Sequence, residues 1–71
     1  MSAEAGQMAR EMEDVIHALR LAGAHLASLD RAAAVRELNE REPYSPLRTK
    51  VEQAEISAAA VKNFLRETAR T

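Results

Sequence analysis

Residues 43–46, Pro43-Tyr44-Ser45-Pro46, interrupt two apolar repeats, and those repeats decide the fold. On the N-terminal side Met8, Met12, Val15, Leu19, Ala22, Leu26, Leu29 and Ala33 recur in alternating steps of four and three residues. On the C-terminal side Leu47, Val51, Ala54, Ala58, Val61 and Leu65 do the same. A spacing that averages about 3.5 residues keeps one stripe on one side of an α-helix. Each repeat therefore predicts one helix, and the pair predicts an all-α, antiparallel helical hairpin.

Local signals set the boundaries. Ser2 and Glu4 suit a helix start, the first as an N-cap and the second against the positive end of the dipole. Helix one is expected over about 3–41, the turn over 42–45 and helix two over about 46–69, all in one domain spanning 1–71. Ser45 reads as the N-cap of helix two and Pro46 as its first residue, where a missing amide hydrogen costs nothing. Ser28 and Asp30 are capping residues as well, so a break near Asp30, giving three helices, is the alternative. Gly6 and Gly23 each weaken helix one by about 1 kcal/mol relative to alanine. Beside the seam, Gly23 reads equally as an aid to close helix approach or as simple tolerance.

At 71 residues the chain is at the size where one core rarely suffices, and it has no cysteine to add a disulfide. Cysteine-free composition fits a reducing, cytoplasmic setting. The N-terminal residues lack the basic-then-apolar pattern of a signal peptide, and no apolar run approaches the ~20 residues a membrane span needs. With a net charge of −1 and both signs interspersed, the chain offers no basic face for duplex nucleic acid. A third device for a small fold is a partner chain. Helix two, turned back at 42–45, would reach helix one only as far as Leu19, leaving Met8, Met12 and Val15 overhanging. Leu21, Ile56, Ala60 and Phe64 fall opposite the seams at about 100° per residue. These residues form the expected interface of a homo-oligomer, although scattered exposed alanines need no explanation of their own.

Catalytic chemistry finds no purchase. There is no nucleophile elbow and no glycine-rich phosphate loop. The carboxylates mostly stand at helical spacing from a cation, as Glu37 does from Arg41 and Glu52 from Arg48, which describes solvated ion-paired faces. Glu13 and His17 lie four apart on one face, yet no further ligand follows at metal-site spacing, so no metal or other cofactor is expected. A binding protein is expected, not an enzyme. Its polar chemistry gathers at the junction, where Arg41, Tyr44, Ser45, Arg48, Thr49 and Lys50 surround a helix start suited to phosphate. An ordinary polar turn accounts for the same residues.

The stretch 44–67, YSPLRTKVEQAEISAAAVKNFLRE, resembles the C-terminal helix of the phage anti-CBASS cyclic-oligonucleotide sponges, a hairpin domain shared with anti-Thoeris sponges. Ser45, Thr49, Lys50, Val51, Glu52 and Ala54 carry the likeness, and Arg41-Glu42 resembles the Arg-Glu that often precedes them. The resemblance implies a helical oligomer, often a hexamer, that holds cyclic di- or trinucleotides between protomers without cleaving them. Thr49 and Ser45 would then bond phosphate or ribose, and Lys50 or Arg41 would offset phosphate charge. Tyr44 and Arg48 join the set on local chemistry alone. The setting implied is phage anti-defence in a host bacterial cytoplasm. A small helical interaction module or inhibitor, such as an anti-CRISPR acting through its apolar back faces, is the competing expectation.

Overall fold

The computed structural model describes residues 3–36 and 42–70. Two helices account for them almost entirely: α1, Ala3–Arg36, and α2, Ser45–Arg70. They pack antiparallel as the hairpin predicted from the repeats. At one end a Cβ placed on Gly6 would stand 4.0 Å from the Ala69 Cβ. At the other the Tyr44 amide donates to Asp30 Oδ1 at 2.8 Å.

α1 runs unbroken through Ser28 and Asp30, so the three-helix alternative falls away. The physical reason is that the Asp30 carboxylate is used across the hairpin and caps no new helix of its own. Helix one was expected to about residue 41; its described span ends at Arg36, and residues 37–41 lie outside the described residues, as does Ser2. The register differs from the expected one. α2 begins opposite Asp30, and its 26 residues reach back at about 1.5 Å each to Gly6. Met8, Met12 and Val15 therefore do not overhang, contrary to the sequence expectation.

The contact seam also differs from the expected one. Met12, Leu19, Leu26 and Ala33 on α1, with Val51, Ala58 and Leu65 on α2, face the partner helix as expected, and all are buried or half-buried. Their alternating neighbours are different residues. α1 turns in Ala9, Ile16, Gly23 and Asp30, where Met8, Val15, Ala22 and Leu29 were expected. α2 turns in Arg48, Glu55 and Lys62 in place of Leu47, Ala54 and Val61. Each helix is thus rotated by about 50°, half of one residue's step. Gly23 faces α2, where an added Cβ would meet Val51 Cγ1 at 3.6 Å.

Such a seam leaves a thin core. Among the described residues the buried apolar set is Ala5, Ala9, Ile16, Ala33 and Ala58, and alanine brings little apolar area. The molecule measures 56 × 14 × 10 Å, with a radius of gyration of 16.6 Å. A compact domain of this length has a radius of about 11 Å. Its accessible surface is 5487 Å² for 7.8 kDa, against about 4400 Å² for a compact monomer of that mass.

Candidate functional site: a two-sided hairpin

Ion pairs occupy one side of the hairpin. Glu13 Oε1 accepts from Lys62 Nζ at 3.1 Å and from Arg66 at 2.9 Å. The Lys62 hydrogen bond and charge, helped by Arg66 and Arg20, hold the Glu13 carboxyl below the usual glutamate range. Glu13 and Arg66 each lie about 80° to one side of their helix's contact line, and since they touch, they define a common side. Val15 and Val61 lie about 80° to the other side of the same lines, so they too share a side, the opposite one.

That second side is apolar. Met8 and Val15 of α1 and Leu47 and Val61 of α2 remain 51, 44, 51 and 46 % exposed, and Phe64, next to Val61 on the same flank, 69 %. Ala22, Leu29 and Ala54 fill the positions between. These are largely the residues that the apolar repeats placed in the seam. The more hydrophobic of two overlapping stripes is thus left facing out. Of the other expected interface residues, Met12 sits in the intramolecular seam, Leu21 and Ala60 lie on the backs of their helices, and Ile56 lies on the outer edge of the ion-paired side.

The junction is organised by Asp30, which is 2 % exposed. Its Oδ1 accepts the Tyr44 N–H at 2.8 Å and its Oδ2 accepts from the Arg48 guanidinium at 3.1 Å. Arg48 also approaches Glu42 at 3.8 Å; its partners are these two carboxylates and not Glu52, the neighbour expected from helical spacing. The turn itself closes by a Ser45 N–H to Glu42 carbonyl bond of 3.0 Å, with Pro43 at its second position. Glu42, at φ 27°, takes the left-handed conformation that non-glycine residues seldom adopt.

These contacts use up much of what a phosphate would need. The amides of Tyr44 and Ser45 are taken and Pro46 has none, while Arg48 N–H closes the first helical bond onto Tyr44 O at 2.9 Å. The Ser45 hydroxyl was expected as the cap; the carboxylate that serves this helix start is Asp30. Thr49 Oγ1 donates to the Ser45 carbonyl at 3.2 Å, leaving only its lone pairs for a ligand. Ser45, Arg48 and Thr49 line one shallow depression with Glu42 and Glu52, about 200 Å³ in volume. A neighbouring depression of about 190 Å³ lies along Ala27, Asp30, Arg31 and Ala34. Ligand pockets usually run to ~300–1,000 Å³. Lys50 is not part of this group, for it points to the apolar flank, and Arg41 lies outside the described residues.

Sequence reasoning singled out neither Asp30 as a contact across the hairpin nor Glu13 as a partner for helix two. A signal existed. Leu26-Asp30-Ala33 and Val51-Glu55-Ala58-Lys62-Leu65 keep the four-three step with charged residues threaded into it. Among the described residues, no group of three or more His, Cys, Asp or Glu could hold a metal ion, and Glu13, on one helix face with His17, meets Lys62 and Arg66. No described helix is long and apolar enough to cross a membrane. Compared with known protein families, curated proteins and solved structures, the chain matches none.

Proposed function

We propose that this chain is a binding protein, a helical interaction module whose working surface is the apolar side of the hairpin. One observation carries the reading: ion pairs and the buried Asp30 carboxylate lie on the contact seam and one flank, whereas the opposite flank presents Met8, Val15, Leu47, Val61 and Phe64 to solvent. A stripe three positions wide on each helix is the pattern of helices that meet more than one neighbour. The ion-paired side holds the two helices in register, and the apolar side takes the partner.

Sequestration of a cyclic di- or trinucleotide is the second reading, implied by the sponge resemblance. What favours it is the placement of Arg36 and Lys50, exposed cations with no ion pair to any described residue, at the loop end of the apolar flank. A ligand there would sit between protomers, since the depressions among the described residues are shallow and the Arg48 charge is already engaged.

A photo-crosslinking amino acid at position 57, on the apolar flank, should give discrete protein adducts in cells, and the same group at position 53, on the back of α2, should not. Absence of adducts from position 57 would sink the interaction reading. Thermal shifts against a panel of cyclic oligonucleotides decide the second: a rise in Tm with ligand recovered intact supports sequestration.

A further inference from the structure

We infer that the partner of the apolar side is a second copy of this chain, docked face to face and head to tail to form a four-helix bundle. The inference rests on the interaction reading and names its partner. Three observations carry it.

First, the area fits. The molecule is 56 Å long and 14 Å wide, so one broad side offers on the order of 800 Å² per protomer, the size of a standard interface. The accessible surface exceeds that of a compact monomer by about 1,100 Å². Burying the apolar side removes most of that excess.

Second, the surface sets large side chains beside small ones. Met8, Val15, Leu47, Val61 and Phe64 are interspersed with alanines at positions 22 and 54, which provide large side chains beside small gaps. A two-fold contact needs such a surface, because the same patch serves both copies.

Third, charge sets the direction. On the apolar flank acidic Glu4 and Glu11 stand at the open end of the hairpin, and basic Arg36 and Lys50 at the loop end. Two copies running head to tail bring the acidic start of each α1 over the basic end of the other. Parallel copies would set like charges together.

Sedimentation equilibrium of the purified chain at micromolar concentration should give twice 7.8 kDa. Val61→Glu should weaken association about a hundredfold or more, since it buries an unpaired charge, whereas Leu21→Glu, on the back of α1, should leave it intact. The chain has no cysteine, so Ala22→Cys, near the middle of the apolar side, gives a second readout independent of stability. It should oxidise to a linked dimer, and Gln53→Cys should not. Glu11→Lys should weaken the dimer and Arg36→Glu in the same chain should restore it. A monomer in sedimentation without Ala22→Cys linkage overturns the inference. If position 57 then crosslinks to a different protein in cells, the interaction reading stands and only the second copy is wrong; if nothing crosslinks, both fail. A dimer that survives Val61→Glu places the contact elsewhere and also overturns it.

Discussion

Asp30 does the most work of any one side chain. Its two oxygens serve two different needs, satisfying the Tyr44 amide at the start of α2 and neutralising Arg48, while it is itself 2 % exposed. A buried carboxylate without partners would be costly, so these contacts are what make its position tolerable. Asp30→Ala leaves an amide and a guanidinium unpaired, and denaturant unfolding should show a loss of about 2 kcal/mol. The guanidinium is 38 % exposed, which keeps the loss below that of a fully buried pair. Asp30→Asn keeps an acceptor for Tyr44 but not the charge, and should fall between. Equal stability of the Ala variant and the parent would remove Asp30 from this role. Glu13 adds a pH signature. Its folded pKa lies below the unfolded value, through the Lys62 hydrogen bond first and the Lys62, Arg66 and Arg20 charges after it. The contribution is therefore present above the unfolded pKa and lost as pH falls through the lower folded one. Tm should drop on acidification below about pH 4.5, the ordinary value of a glutamate carboxyl, and Glu13→Gln should flatten part of that drop.

At the scale of the element, both helices follow from composition and period, but their details follow from what each faces. Alanine, leucine, glutamate and arginine favour α1 throughout, and Gly23 is its weak point. The Cβ that alanine would add there meets Val51 Cγ1 at ordinary van der Waals distance, 3.6 Å. The helix gains propensity and the unfolded chain loses freedom, so Gly23→Ala should raise stability by up to about 1 kcal/mol in thermal melts. A loss instead would mean that α1 and α2 approach too closely for a methyl group. Element existence was legible in the residues; the register between the elements was less so. Helix one was expected to reach 41, and the consequence was a register that left Met8, Met12 and Val15 unpaired. One tertiary bond, Tyr44 to Asp30, shows why that register is wrong, and no local signal announces a bond between residues 14 apart.

For the whole molecule, the numbers describe an elongated hairpin with a thin core. A radius of gyration of 16.6 Å and a core of four alanines and one isoleucine among the described residues give little burial to set against chain entropy. The proposed four-helix bundle answers that deficit without altering the hairpin, because the surfaces it buries are those already exposed. The junction, by contrast, is an organised turn. Its polar groups looked like a phosphate site in the sequence because residue type and proximity along the chain were visible, whereas Asp30, the residue that occupies them, comes from α1.

The amino-acid sequence alone determined that there would be two helices, where the second of them starts, and which positions both readings of the seam share: Met12, Leu19, Leu26, Ala33, Val51, Ala58 and Leu65. Periodicity could go no further. Two stripes about 50° apart use those same positions, and each keeps the four-three step. Hydrophobicity alone favoured the stripe with Val15 and Val61. Only the tertiary structure decided for the other, because opposite charges distant in sequence, Asp30 with Arg48 and Glu13 with Lys62, meet when the helices turn the polar stripe inward. That choice places the apolar stripe on the outside, where it becomes the surface this protein has to offer.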